Sequence, residues 1–365
     1  LAVALISIRE ESYFQSKTGL GVDNVLASPN IQYAMNAPND RPYLSILIST
    51  LNRSEFLSQL LDALVAQEPV PGSFEIVVVD NGSTDQTPEV LRDYATRYPR
   101  VVRSAVETRR GISVARNQAL EMARGEIVAF IDDDALPEPN WALETVRGFR
   151  NANVGVVGGP IHLLWYDPCP AWISQRYLSV LGHLELGPHL RILRDRTPFG
   201  GNIAFRRDAL RELRGFRTFL GIQAGKLVVG EEILACLELR KRGYLIVYNP
   251  AMAVRHRVSS SRLNRTFFLN YFRGLGYSEA IIYLHGNRWR FATRLVKRSL
   301  FSLVVHPVLW LYYKAISKPD KSFGHLLEIR RCLGYYRGIL AAPFVRQGKI
   351  RAQTNFPSTE EESLR

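Results

Sequence analysis

The stretch that most constrains this chain runs from Glu126 to Pro139. An apolar run, Ile127 to Ile131, reads as a buried strand, and it ends abruptly in Asp132, Asp133 and Asp134. Pro137 and Pro139 are expected to stop any return to regular structure. Three adjacent carboxylates repel one another. They are tolerable at the mouth of a sheet where a divalent cation sits, because hard oxygen ligands suit Mg²⁺ or Mn²⁺. Alternate side chains of an extended chain point the same way, so Asp132 and Asp134 can face one ion while Asp133 points elsewhere. The plainer alternative is a solvated acidic turn, and the neighbouring segments weigh against it.

From Tyr43 the chain alternates short apolar strands with helical segments. Leu44 to Ser49 reads as a strand, Ser54 is placed to N-cap a helix over about Glu55 to Gln67, and Phe74 to Val79 reads as a second strand. Helices are expected over Thr87 to Arg97 and Ile112 to Met122, with a strand starting at Val101 and Val102 between them. Connections this short argue a doubly wound parallel sheet covered on both faces. In such sheets ligands bind at the carboxyl ends of the strands. Three strands here end in polar clusters: Thr50, Asn52 and Arg53; Asp80 and Asn81; and the aspartate triplet. All three should share one edge of the sheet. Asp85 is expected to cap the helix that follows it.

The remaining candidates lie further on. Leu163 to Leu193 reads as irregular, and its Trp172 suits either an acceptor contact or a core position. Gly200, Gly201 and Asn202 allow close backbone approach and offer both a donor and an acceptor, or else form a simple turn. Glu231 and Glu232 open a helix closed by Gly243, where the dipole favours ionised carboxylates.

The order Ile-Ser-Thr-Leu-Asn-Arg53, Val-Val-Val-Asp-Asn-Gly-Ser-Thr-Asp85, Arg110-Gly-Ile-Ser-Val-Ala-Arg-Asn117 and Phe-Ile-Asp-Asp-Asp134 resembles the family 2 nucleotide-sugar glycosyltransferases. The resemblance covers Tyr43 to about Gly286. It implies the α/β GT-A fold, a Rossmann-like, mostly parallel sheet flanked by helices. It also implies a non-processive, inverting transferase of nucleotide-diphosphate sugars, since the several membrane spans and Gln-x-x-Arg-Trp motif of the processive synthases are not evident. The partial echo is Asn287-Arg-Trp289. By resemblance, Thr50, Asn52, Arg53, Asp80, Arg116, Asp132 and Asp133 contact the nucleotide. Asp132, Asp134 and His256 hold Mn²⁺ or Mg²⁺, and Gly201, Asn202 and Trp172 line the donor or acceptor sugar. Glu232 acts as general base with Glu231 as its fallback; the family usually has Asp at the Glu232 position.

Composition bounds the partners. The 365 residues are 46% hydrophobic and 22% charged, with a net charge of +13. That surplus suits an anionic partner. Nucleic acid is excluded as a reading by the acidic strand ends. Three cysteines without metal spacing are expected as reduced thiols, and no secretory leader is evident. Beyond Asn270 the chain turns helical and basic. The apolar run from Ser299 to Tyr313 falls short of the ~20 residues of a span, and Pro307 interrupts it. A second apolar segment, Leu333 to Val345, is ringed by arginines that include Arg331. Both suit the plane of an anionic membrane surface. The expected division is an N-terminal extension over 1–42, a catalytic domain over 43–286, a basic helical membrane-associating region over 287–350 and a disordered tail over 351–365. The expected partners are a UDP-sugar donor, a glycan or lipid-linked acceptor and the inner face of the cell membrane, in cell-surface polysaccharide or glycolipid assembly. The rival readings are a nucleotide-sugar-binding scaffold without turnover and a nucleotidyltransferase.

Overall fold

The computed structural model describes residues 41–222, 227–285 and 301–346. The expectations for 1–40, for Asn287-Arg-Trp289 and for 351–365 lie outside the described residues. Contacts divide the chain into two compact units. The first takes the chain up to Tyr166, Ser174–Phe216 and Glu232–Val258; the second takes Asp167–Ile173, Arg217–Glu231 and the chain from Ser259.

The first unit is built on an eight-stranded sheet. Its strands are β1 (Leu44–Thr50), β2 (Phe74–Asp80), β3 (Val102–Val106), β4 (Ile127–Ile131), β6 (Val154–Gly158), β8 (Arg191–Ile192), β9 (Asn202–Arg206) and β10 (Leu245–Tyr248). Their order in the sheet is β3-β2-β1-β4-β9-β6-β10-β8. β1, β2, β3 and β4 run parallel, as do β6 and β10. The helices of this unit are α1 (Ser54–Val65), α2 (Thr87–Arg97), α3 (Ile112–Met122), α4 (Trp141–Arg147), α5 (Arg207–Glu212) and α6 (Glu231–Lys241), the last beginning at the boundary between the units.

Strand alternation divides the core between the two faces. Leu44, Ile46 and Ile48 of β1 pack with Leu57, Leu60 and Leu61 of α1, Leu91 of α2 and Trp141 of α4. Leu47 points the other way and joins Ala115 and Ala119 of α3 and Cys236 and Leu239 of α6. Register then sets the site, because Thr50 pairs directly with Asp80 at the ends of β1 and β2.

Several local expectations are corrected. Asn202–Arg206 is a strand, and it runs antiparallel between β4 and β6 in the middle of the sheet. Pro137 does not end regular structure. β5 (Ala135–Pro137) pairs antiparallel with β11 (Val254–Val258), and β7 (Ile161–Trp165) completes that second sheet in the order β5-β11-β7. β5 is an edge strand, where a proline costs no ladder bond. The segment read as irregular from Leu163 thus begins inside a strand.

Ser54 does not cap α1 with its own side chain. The helix starts at Ser54, and the Ser54 N–H donates to Asp85 Oδ2 at 3.0 Å, while Thr87 N donates to Asp85 Oδ1 at 3.0 Å. One carboxylate therefore holds the first residues of α1 and α2 together. Burial acts first and pushes the Asp85 carboxyl up, but the hydrogen bonds from Thr87 and Ser54 outweigh it and hold it below the usual aspartate value.

The second unit contains α7 (Arg265–His285), α8 (His306–Ala315) and α9 (Pro319–Arg346), with a π-helical turn, Phe301–Val305, leading into α8. Pro307 does not interrupt this segment, since the helical backbone runs from Phe301 through it to Ala315. α7 and α9 cross closely at glycines. A Cβ on Gly276 would lie 1.8 Å from the Arg331 carbonyl oxygen, and one on Gly334 would lie 1.9 Å from that of Arg273. Arg331 is not part of a basic rim; it is buried and paired with Glu279. Among the described residues no helix is long and apolar enough to cross a membrane. None of the three cysteines is in a disulfide.

Because the folded pKa of Asp85 is depressed, its contribution to stability is complete above the unfolded value near pH ~4 and is lost as pH falls through the folded value. Asp85→Ala should therefore cost about 1 kcal/mol at pH 7. Denaturant unfolding of both proteins should show the difference narrowing as the pH drops below that range.

Candidate active site

The acidic edge of the sheet is assembled from neighbouring strands. β4 ends at Ile131 beside β1, whose end at Thr50 lies opposite Asp80. Each aspartate of the triplet then finds a different environment. Asp132 is partly exposed, at 38% of its side chain, and its Oδ1 accepts from Arg116 Nη2 at 3.0 Å. Asp134 is buried. Its Oδ2 lies 3.4 Å from Arg53 Nη1, and its Oδ1 lies 2.9 Å from His256 Nδ1. The Asp133 carboxyl is pushed up to about 7, first by burial and then by the charge of Asp134, with Asp132 adding to it; Arg53 and the adjacent Thr50 hydroxyl oppose the rise.

Arg116, expected at the nucleotide, is drawn into the protein. It is 5% exposed, packs over the Phe130 ring at 5.9 Å, and donates from Nη2 to the Gly200 carbonyl at 3.0 Å as well as to Asp132. The glycine pair fits against this clamp. A Cβ on Gly200 would come within 2.7 Å of Arg116 Nη1, and one on Gly201 within 2.6 Å of Asp132 Oδ2. Gly200 and Gly201 are therefore required by contact with Arg116 and Asp132.

Asn202, expected at a donor sugar, sits elsewhere. It is fully buried; its Oδ1 accepts from Trp141 Nε1 at 2.9 Å, and its Nδ2 donates to the carbonyls of Pro160 at 3.0 Å and Met252 at 2.7 Å. Both donor positions of that amide, and one acceptor position of its oxygen, are engaged in the core. Trp172 belongs to the second unit, where it packs edge-on against Phe268 and Phe323 with Arg265 over its face. It is half-buried there.

The second strand end is held by its own loop. Asp80 is buried, and its Oδ1 accepts from Ser83 N at 2.8 Å and Ser83 Oγ at 2.6 Å. The neighbouring Asn81 amide donates to the carbonyls of Glu107 and Arg109 and accepts from Gly111 N, which fixes the start of α3. Asn52, with φ of 54°, accepts from Thr84 N at 2.8 Å and joins the first loop to the second. Its carbonyl oxygen is committed to that junction.

Glu231 and Glu232 are both buried on the first turn of α6, and the boundary between the units falls between them. Ile233, Leu237 and Arg240 of the same helix line a cavity of about 160 Å³. Opposite them stand Arg176, Arg196 and Phe199, and Phe199 leads directly into Gly200.

Residues 45–214 match the model of glycosyl transferase family 2. Those residues are a family 2 glycosyltransferase domain. The glucosyl-dolichyl phosphate glucuronosyltransferase of Haloferax volcanii is 29% identical over 66% of this chain and 77% of its own length. Glycosyltransferase AglE of the same organism is 31% identical over 38% of this chain and 45% of its own. The beta-monoglucosyldiacylglycerol synthase of Nostoc sp. is 34% identical over 38% of this chain and 29% of its own. Among solved structures, the mannosyltransferase PcManGT from Pyrobaculum calidifontis, in complex with GDP-Man and Mn²⁺, superposes with a TM-score of 0.56 at 23% identity, over 82% of this chain and 89% of that one. The fold is GT-A, as the order of motifs implied.

For this glycosyltransferase the fit of a divalent cation is tested by its own side chains. Among the described residues no group of three His, Cys, Asp or Glu side chains is placed to hold a metal ion by itself. Asp134 and His256 are in contact, and Asp132 is the exposed member turned toward Arg116. Two carboxylates and an imidazole in an open arrangement suit an ion whose remaining ligands would come from a substrate phosphate.

Two contributors escaped the sequence reading. Gly182, at φ of 96°, lets the chain pass His256; a Cβ there would lie 2.9 Å from His256 Cδ2. Arg257 is buried, donates from Nε to Tyr166 OH at 3.0 Å and bonds Gln59, and its guanidinium lies 5.0 Å from the Phe56 ring centroid. The clue to Arg257 was strand alternation, which places it on the opposite face from His256.

Asn202→Ala should destabilise the fold by about 3 kcal/mol or more, because three buried partners lose their bonds. Gly201→Ala should leave the unfolding midpoint nearer to wild type and instead disturb Asp132. Denaturant unfolding beside a donor-turnover assay separates the two effects.

Proposed function

We propose that the protein transfers a single sugar from a nucleotide-diphosphate sugar to an acceptor hydroxyl with inversion at the anomeric carbon. The observation that carries this reading is the carboxylate group on one sheet edge: Asp132 held by Arg116, and Asp134 held by Arg53 and His256. Such an arrangement suits a diphosphate that arrives with a cation. We assign the catalytic domain to 43–286.

Asp80 keeps Oδ1 on Ser83 and offers Oδ2 to the N–H of a base, with Thr50 beside it. A UDP-sugar is the favoured donor. Asp132, Asp134 and His256 would hold Mn²⁺ or Mg²⁺, which when bound neutralises charge on the departing diphosphate. Arg116 acts from within, fixing Asp132 and the Gly200–Gly201 backbone so that neither must reorganise as that charge develops. Arg53 pairs with Asp134 and holds its carboxylate in place.

Glu232 takes the proton of the acceptor hydroxyl. The oxygen attacks the anomeric carbon from the face opposite the nucleoside diphosphate, one C–O bond forms as the other breaks, and the diphosphate leaves with the bonding pair. The helix dipole at the start of α6 favours the ionised form of Glu232 before the reaction. We assign the acceptor to the cavity lined by Ile233, the residue that follows Glu232 on α6. Arg176, Arg196 and Arg240 line it, which suits an acceptor bearing phosphate. The Haloferax glucuronosyltransferase is named for glucosyl-dolichyl phosphate, and we assign this chain a lipid-linked phosphate acceptor of the same class.

The test is release of nucleoside diphosphate from a panel of nucleotide sugars with Mn²⁺. One donor should be hydrolysed slowly by the wild type and not by Asp134→Ala. With a phosphate-bearing lipid acceptor, transfer by Glu232→Gln should fall by about 10²–10⁴-fold. Absence of both binding and turnover for every donor would leave a scaffold role as the better account.

A further inference from the structure

The second unit carries a feature that sugar transfer does not use. Phe301, Val304, Val308, Leu311, Tyr312 and Ile316 recur at helical spacing from the π-helical turn through α8, and each is between 40% and 60% exposed. α8 has no buried residue at all. Scattered exposed apolar residues need no explanation. A continuous stripe along one helix face does, because leaving it in water costs free energy that a partner would recover.

The charges around the stripe indicate the partner. Lys314, Lys318 and Lys321 are exposed, while Asp320 lies 3.7 Å from Arg265. Two of the lysines are steadied by aromatic rings, Lys314 over Trp310 at 5.5 Å and Lys321 over Tyr313 at 5.4 Å. Between α7, α8 and the start of α9 lies a cavity of about 260 Å³ whose lining includes Arg265, Lys314, Trp310 and Phe323. It presents two cations and two aromatic faces, a suitable seat for a phosphate joined to an apolar group.

We propose that this face of α8 lies in the plane of an anionic lipid surface. Its apolar stripe enters the acyl boundary, and Lys314, Lys318 and Arg265 meet headgroup phosphates. Basic amphipathic helices with Trp and Tyr at the boundary bind in this manner. A second copy of the chain fits the same face less well. In a two-fold contact the stripe would meet itself, and the lysines would face their own copies with little acid to pair them. The proposal does not depend on the donor, the base or the acceptor assigned above.

Co-sedimentation of the full chain with vesicles tests it. The wild type should bind vesicles of phosphatidylcholine containing phosphatidylglycerol and should bind pure phosphatidylcholine far less. Val308→Asp with Leu311→Asp should weaken binding at least about tenfold. Lys314→Glu with Lys318→Glu should weaken it comparably and flatten its salt dependence. These side chains are exposed, so the unfolding midpoint and slow donor hydrolysis should stay at wild-type values, which separates this test from that of the transferase reading. The proposal is overturned if the wild type ignores anionic vesicles, or if both variants bind them as the wild type does. It is equally overturned if the wild type is a dimer that Leu311→Asp dissociates and no vesicle binding accompanies it.

Discussion

Three carboxylates in sequence at the end of one strand repel one another, and the first unit is arranged to contain that repulsion. No single partner does so. Arg116 comes from α3, Arg53 from the loop after β1, and His256 from a strand of the second sheet. The elements that deliver them must meet at one sheet edge, which fixes the order of β2, β1 and β4 and the position of the small sheet formed by β5, β11 and β7. Asp133 is pushed up to about 7, by burial first and then by its neighbours. Carboxylates gathered at one open edge suit a site that receives a divalent ion together with an anionic substrate.

Packing around the cluster is as demanding as its charge. Gly200 and Gly201 leave no space for a Cβ against Arg116 and Asp132, and Gly182 leaves little beside His256. Asn202 then ties the strand that follows the glycine pair to Trp141, Pro160 and Met252. Thus the backbone beside Arg116 and Asp132 is fixed because the next residue is locked in the core. In physical terms this is preorganisation, since dipoles and charges that are already fixed need not reorganise when the leaving group gains charge.

Much of this was legible in the sequence because the physics is local. Apolar runs that end in Thr50, Asp80 and Asp132 announce parallel strands with polar carboxyl ends, and the helices Thr87–Arg97 and Ile112–Met122 carry plain periodicity. The rest depended on distant partners. Nothing near Asn202 says that its amide will face Trp141, 61 residues earlier. The strand Asn202–Arg206 follows two glycines, and so reads as a turn until β4 and β6 are seen on either side. Ser54 looks like a cap until Asp85 arrives from another loop. Trp172 looks like a sugar platform until Phe268 and Phe323 enclose its edges.

The central claim is that the Asp132–Asp134 edge is a diphosphate seat completed by a divalent ion that comes with the substrate. The most direct measurement is Mn²⁺ binding followed by electron paramagnetic resonance, with the protein alone and with a nucleoside diphosphate added. The account predicts weak binding to the protein alone and at least about tenfold tighter binding with the nucleotide, the gain being lost in Asp132→Asn and Asp134→Asn. Tight Mn²⁺ binding that ignores the nucleotide, or a nucleotide effect that survives both substitutions, would contradict it.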